Sequence, residues 1–487
     1  MESYFGHVWL VRLLVQRGIA AVYLIAFIVA ANQFKPLLGE RGLQPVSDFL
    51  EGVGFWDAPS IFHWRYSDRV LDVVAWAGII LSGTAAFGLS EAGPLWLSAG
   101  IWLVLWALYL SIVNVGQTFY AFGWESMLLE AGFFTAFMGS ARLDASLIPI
   151  LILRWMLFRT ELGAGLIKVR HDRCWRELTC LFWHYETQPL PNPLSWHFHR
   201  LPKIMHRFSV LFSHVVQLIV PFGLFAPQPF ASIAGGLIIF HQLWLIISGN
   251  YSWLNWLTVI LGVTAFSDSV LSAALPIHVA ETMARSALVN GLLYAVGLAV
   301  IPLSIQPTLN FFSHGQLMNY SYNRFHLVNV YGAFGSVTKP RYEIVIEGTD
   351  SATVTDATRW REYGFKAKPG DLRRTPPQIA PYHLRLDWLM WFLPFSVAVT
   401  NREIRVPGYE PWFIRLIQRL LEGDRATLSL LKSDPFVHQR PRFIRALFYE
   451  YRYTDWADRR KTGAWWTRRR IGVYLPPVSL AELNRMW

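Results

Sequence analysis

The run Ser286-Ala-Leu-Val-Asn-Gly-Leu-Leu-Tyr-Ala-Val-Gly-Leu-Ala-Val-Ile-Pro-Leu-Ser-Ile305 carries no charged side chain, and the chain changes character just beyond it. About 20 mostly apolar residues are what an α-helix needs to cross the hydrocarbon core, where the backbone must satisfy its own hydrogen bonds. From Pro307 to the end there are 27 Lys/Arg against 16 Asp/Glu, whereas the preceding part has 17 of each. All of the +11 net charge therefore lies after residue 306. That step divides the sequence into an apolar, neutral part over 1–306 and a basic part over 307–487.

Working back from this run, further apolar stretches lie near 17–34, 70–89, 95–113, 119–139, 147–168, 208–226, 229–248 and 252–267. They predict about nine spans, give or take two. The 252–267 stretch is short enough to be re-entrant. Only 16% of the 487 residues are charged and 53% are hydrophobic, against about 25% charged in soluble chains, which excludes an ordinary soluble enzyme. No small-residue cleavage site follows the first apolar run, so it is expected to stay as a span. Arg12 and Arg17 favour a cytoplasmic N-terminus, whereas Arg170, Arg173, Arg176, Arg200 and Lys203 favour the reverse. The tail carries no lipid-anchor or retention signal.

The basic part reads as a mixed α/β, strand-rich domain outside the membrane. Arg341–Glu347, Trp360–Lys366 and Ala446–Tyr453 alternate polar and apolar residues, the period of a half-buried strand. Pro411–Lys432 places Trp412, Phe413, Leu416, Ile417, Leu420 and Leu421 at helical spacing, which predicts a helix packed in the domain core. The alternative for that helix is a position on the membrane surface. The fold class expected is an α-helical polytopic membrane protein with a C-terminal mixed α/β domain.

Charges inside spans are costly and mark candidate functional sites. The fourth stretch holds Glu125 and Glu130, and the fifth holds Arg154, Arg159, Glu161 and Lys168. Arg154, Glu161 and Lys168 recur at intervals of seven and share one helix stripe, which should face the fourth span and its glutamates. An ion-pair network locking two helices is one reading; a polar cavity is the other. Gly163-Ala-Gly165 reads as a patch of small residues that lets helices approach.

The following segment concentrates the unusual residues: His171, Cys174, Trp175, Cys180, His184, Tyr185, Glu186, Gln188 and Asn192. Cys174 and Cys180 are the only cysteines in the sequence, and they read either as a disulfide or as buried thiols. No Cys-x-x-Cys or His-Glu-x-x-His spacing is present, so no metal is expected. Pro189, Pro191, Pro193 and Pro202 make 171–202 an ordered, irregular loop, expected to be a functional surface on the same membrane side as the C-terminal domain, the alternative being a loop that only caps the helix ends. Asn250 and Asn319 each begin an Asn-Tyr-Ser sequon.

The stretches Cys174-Trp-Arg-Glu-Leu-Thr-Cys180 and His184-Tyr-Glu-Thr-Gln-Pro-Leu-Pro-Asn-Pro193 closely resemble the lipase maturation factor family. So do Gly39-Glu-Arg-Gly-Leu-Gln-Pro45, Gly123-Trp-Glu-Ser-Met-Leu-Leu-Glu130, Gly249-Asn-Tyr-Ser252, Lys366-Ala-Lys-Pro-Gly-Asp371, Pro381-Tyr-His-Leu-Arg-Leu-Asp-Trp388 and the segment from Thr462 to Pro477. The resemblance implies a multi-pass membrane protein, in the endoplasmic reticulum membrane if eukaryotic and in the cytoplasmic membrane if bacterial. It implies a maturation factor that helps a secreted client, such as a dimeric lipase, to fold and assemble. The family's membrane part is distantly similar to the vitamin K-dependent carboxylase superfamily. That sets the alternative, a membrane-embedded enzyme modifying a lipid or polypeptide.

No catalytic residue carries over, and no nucleophile elbow, Walker loop or dinucleotide fingerprint is present, so no cofactor is expected. The expected partners are the lipid bilayer and the client protein, with no nucleic acid, the basic domain suiting anionic lipid or an acidic client surface. Geometry separates the two readings. Mutually paired charges with no cavity weaken the enzyme; a polar pocket reaching Lys168, His171 or His184 strengthens it.

Overall fold

A computed structural model describes residues 2–275, 277, 282–400 and 403–486. The helical part is built from α1 (Trp9–Leu38), α2 (Asp68–Ala86), α3 (Leu95–Asn114), α4 (Gly123–Thr135) and α5 (Leu147–Arg170). It continues with α6 (Leu181–Thr187), α7 (Lys203–Leu218), α8 (Phe230–Ser248), α9 (Leu254–Val263), α10 (Asp268–Ala274) and α11 (Ala287–Asn310). Serines start several of these helices. The Ser67, Ser146 and Ser286 side chains accept from the backbone N–H of Val70, Ile148 and Val289, satisfying donors that a helix start leaves free.

Six described helices are long and apolar enough to cross a membrane: α1, α2, α3, Lys203–Phe225, α8 and α11. The pair α9 and α10, bent by 111°, raises the number to seven. The protein is therefore a multi-pass integral membrane protein. The sequence predicts nine, and the two stretches that differ do so for a physical reason. Within 119–139 the chain leaves a one-turn helix, Gln117–Tyr120, and then forms α4, whose 13 residues extend about 20 Å at 1.5 Å per residue, too short to cross. Helix α5 is long enough at 24 residues, but it carries Arg154, Arg159, Glu161 and Lys168, all buried inside the bundle. Both helices are enclosed by neighbouring helices, so their composition is that of an interior.

The C-terminal sheet has β1 (Arg341–Thr349), β2 (Arg361–Glu362), β5 (Phe443–Tyr453) and β6 (Trp466–Val478), antiparallel in the order β2-β1-β5-β6. A separate hairpin joins β3 (Ala398–Thr400) to β4 (Glu403–Arg405). Opposite faces of the sheet pack differently, as the period of two requires. Ile344, Ile346, Ala446 and Phe448 share a core with Phe413, Leu416, Ile417 and Leu420 of α12 (Pro411–Glu422). Val345, Tyr451, Tyr453 and Trp466 instead pack on Trp196 of the 171–202 segment.

Three boundaries differ from the sequence reading. The helix expected over 411–432 stops at Gly423, whose φ of +64° suits a residue without Cβ. The strand expected over 360–366 pairs with β1 at Arg361 and Glu362 and then leaves it, Gly364 bridging to Ser433 while Tyr363 and Phe365 are buried in the core. Strand β6 has no forerunner in the alternation, since it exposes Thr467, Arg469 and Arg470 in one run.

Between α11 and β1 the chain folds back into the helical part, where Val328, Asn329, Val330 and Tyr331 are buried. A Cβ at Gly163 would collide with the Tyr331 carbonyl, and one at Gly165 would lie 2.7 Å from Leu218 Cδ2. The small residues of α5 thus admit this segment on one side and α7 on the other.

Candidate functional site

The six buried charges of α4 and α5 fall into four separate arrangements. Glu130 of α4 pairs with Arg159 of α5, and it accepts from Asn329 N at 2.8 Å, Asn329 Nδ2 at 3.1 Å and the Tyr331 hydroxyl at 2.8 Å. Glu125 pairs with no residue of α5. Its partners are Arg385 of the C-terminal domain at 2.8 Å and the Tyr109 hydroxyl. Arg154 donates to two backbone carbonyls, Thr264 at 2.7 Å and Leu224 at 3.3 Å. The pairs Glu130–Arg159 and Glu125–Arg385 fix segments in place, because removing one partner would strand a buried charge, whereas Arg154 is held by carbonyls alone and its Nη2 has no hydrogen-bond partner among the described residues.

The fourth arrangement differs. Glu161 and Lys168 do not meet directly but share Gln217 of α7. Its Nε2 donates to Glu161 Oε2 at 3.2 Å, and its Oε1 accepts from Lys168 Nζ at 2.8 Å. The other oxygen of Glu161 accepts from Gln242 Nε2 at 2.6 Å, and Gln242 Oε1 accepts from Asn255 at 2.6 Å. This chain of amides lines a cavity of about 680 Å³ that also reaches His184, His241 and Tyr251. His184 Nε2 lies 2.9 Å from the Tyr251 hydroxyl, and burial pushes its imidazole down to about 3. A second cavity of about 720 Å³ lies beyond Asn319 and Phe334 and is lined by His171 and by Trp388, Trp391 and Trp412 of the C-terminal domain. The amides were legible as polar residues inside apolar stretches; their convergence was not.

The 171–202 segment is exposed at His171, Arg173, Arg176, Glu177, Leu194 and His197 and buried through its middle. Tyr185, Glu186, Gln188 and Asn192 are buried between the helical part and the sheet, because β1 and β5 close over them. Arg341 donates to the carbonyls of Glu186 at 3.0 Å and Pro189 at 3.1 Å. Glu186 Oε1 accepts from Tyr453 N at 2.6 Å, and burial raises its carboxyl above the usual range. Asn192 Nδ2 donates to Gln378 Oε1 at 3.1 Å, and Gln188 Oε1 accepts from the Tyr251 hydroxyl at 2.6 Å.

Cys174 and Cys180 form a disulfide, which with Trp175 packs on Val210 of α7. One turn of helix, Arg173–Arg176, separates the cysteines and then breaks, so they are not on one continuous helix. Asp172 lies within 4.8 Å of both sulfurs, but thiols consumed in a bridge offer no metal site.

The remaining motifs converge on the same seam. Asn250 Oδ1 accepts from Ile379 N at 2.8 Å and Ala380 N at 2.9 Å, so this sequon asparagine is buried inside the protein. Lys368 pairs with Glu343 at 2.7 Å, and Asp387 Oδ1 accepts from Ala367 N at 2.6 Å and Lys368 N at 2.9 Å. Burial pushes His383, beside Glu125, down to about 4. Arg385 and His383 were quoted as parts of a motif, with no sign in the sequence that they reach Glu125.

Two family models match the chain: the lipase maturation factor transmembrane domain over residues 10–273 and the lipase maturation factor C-terminal domain over 327–476. Lipase maturation factor 1 of Bos taurus is 40% identical, the match covering 99% of this chain and 92% of that protein. Lipase maturation factor 1 of Homo sapiens is also 40% identical, over 98% and 89% respectively. Lipase maturation factor 2 of Homo sapiens is 28% identical, over 97% and 83%. No solved structure matches.

Proposed function

The chain belongs to the lipase maturation factor family and is a membrane-embedded maturation factor, and we propose that its client is a secreted lipase, received on the side of the membrane where the C-terminal domain lies. The observation that carries this reading is 40% identity to lipase maturation factor 1 sustained over 99% of the chain, across both domains. Both parts of the protein thus have a counterpart in that relative.

The rim of the C-terminal domain supports a client with an acidic surface. Arg470 on β6, with Arg460 and Lys461 on the neighbouring helix Trp456–Thr462, is exposed, and Arg469, exposed on the opposite face of the strand, pairs with Glu450 at 2.5 Å. Opposed charge at a rim speeds encounter and orients it. The disulfide at Cys174 supports placing this side in an oxidising compartment, the lumen of the endoplasmic reticulum or the periplasm, because such bridges persist there.

Co-expression with a secreted dimeric lipase, in cells lacking their own maturation factor, tests the reading. The expected result is a several-fold rise in lipase activity per secreted molecule. Lipase secreted with the same activity with and without this chain would overturn the lipase as client. Arg460→Glu with Lys461→Glu should lower the gain while leaving the abundance of the factor unchanged.

A further inference from the structure

The cavity at Lys168 has an apolar mouth and a polar floor, and the two ends are chemically distinct. At the mouth, Ile204, Met205 and Phe208 of α7 and Phe240 of α8 are 70%, 45%, 68% and 56% exposed. Both helices are apolar enough to cross a membrane, so these exposed side chains meet acyl chains. The cavity therefore opens sideways, between α7 and α8, towards lipid.

The floor is polar and incompletely matched. Glu161 has each carboxylate oxygen held by a glutamine N–H. Lys168 has three donors, and its contacts are one neutral amide oxygen at 2.8 Å and the Trp175 ring at 5.0 Å. Beside it, His241 is 3% exposed and its Nδ1 has no hydrogen-bond partner among the described residues. A buried ammonium is stable only when compensated; Glu161 on the same stripe is separated from Lys168 by Gln217 and held by its own glutamines, so the acceptor in contact with the ammonium is neutral where an anion would fit. At about 680 Å³ the space lies within the roughly 300–1,000 Å³ range of small-molecule sites.

We propose that this cavity binds a single-chain amphiphile with an anionic head, entering from the bilayer between α7 and α8, its head on Lys168 and its acyl chain along Phe208 and Phe240. The shared chemistry is a carboxylate or phosphate on one long hydrocarbon chain. A free fatty acid and a lysophospholipid both supply it. The site is independent of the identity of the client protein.

Binding of radiolabelled oleate, oleoyl lysophosphatidate and oleyl alcohol to the full chain in detergent micelles tests the proposal. Saturable binding of one oleate or lysophosphatidate per chain is expected, with the alcohol at least tenfold weaker, and the tighter of the two anions identifies the source. Lys168→Met should bring the anion down to the affinity of the alcohol. Ser209→Trp, at the half-buried wall of the mouth, should reduce binding of all three at least tenfold and keeps the test decisive if Lys168→Met does not fold. Equal binding of acid and alcohol, no saturable binding of either anion, or unchanged anion binding by either folded variant would overturn it.

Discussion

Arg385 of the C-terminal domain reaches into the helical domain and donates from Nη1 to Oε1 of Glu125 at 2.8 Å, with both side chains fully buried. The same nitrogen donates to the Phe119 carbonyl at 2.7 Å, and the guanidinium lies over the Tyr120 ring at 3.4 Å. The two domains are therefore joined by a buried charge pair as well as by apolar packing. Breaking such a pair by removing one partner costs about 3–5 kcal/mol. Arg385→Ala and Glu125→Ala should each lower the melting temperature of the purified protein by several degrees or more. The double variant Glu125→Leu with Arg385→Met should recover part of the loss, because no lone charge is left. A double variant no more stable than either single would show that the pair is not coupled.

Asn250 should behave as a structural acceptor and carry no glycan. Asn250→Ala leaves the backbone N–H groups of Ile379 and Ala380 without their acceptor, at about 1–3 kcal/mol for each buried donor. The expected signature is faster proteolysis between residues 369 and 381. Glycosidase treatment of the chain expressed in eukaryotic cells should cause no mobility shift that depends on Asn250.

The Cys174–Cys180 bridge closes a short loop against α7. The loop-entropy relation gives about 2 kcal/mol for a loop of this size. Replacing both cysteines by serine should lower stability by about that amount under oxidising conditions, and by nothing under reducing ones. Melting curves with and without reductant check both halves of the expectation.

Acid should weaken the seam. His184 and His383 are held neutral by burial, at about 3 and about 4, well below the ordinary 6.5. A base lowered in this way contributes stability that is fully present above 6.5. That stability is lost as pH falls from 6.5 towards 4, where the unfolded chain takes up protons and the folded one does not, by at most about 1.4 kcal/mol per pH unit for each histidine. Glu186 has the opposite sense: its raised carboxyl favours folding at low pH, and the contribution fades as pH rises through the raised value. His184→Gln should therefore flatten the acid side of a stability–pH profile between 6.5 and 4. An unchanged slope would assign acid sensitivity elsewhere.

Alanine at Gln188 should reduce abundance as well as function. Its Nε2 donates to Ser195 Oγ at 2.7 Å and to the Ser248 carbonyl at 3.1 Å, within a fully buried turn. Normal abundance and melting of Gln188→Ala would contradict this placement.

Much of the architecture was legible in composition and period. Apolar runs of about 20 residues can only be spanning or wholly buried helices, and alternation at Arg341–Glu347 and Ala446–Tyr453 can only serve a sheet with two faces. The charge step after residue 306 and the quoted motifs likewise sufficed for the class and the family. What the linear chain could not hold was the partner of each buried charge. Glu125 lies near Arg154 and Arg159 in sequence, yet its cation comes from Arg385, 260 positions away. Lys168 and Glu161 share a helix stripe, but it faces α7 and α8 and not the glutamates of α4, and Gln217 and Gln242 decide that the two line a cavity instead of closing into a direct ion pair. Hydrophobic period is a property of neighbouring residues, so the sequence states it locally. Electrostatic pairing in a low-dielectric interior depends on distances of a few ångströms between distant segments, and only the folded chain sets those.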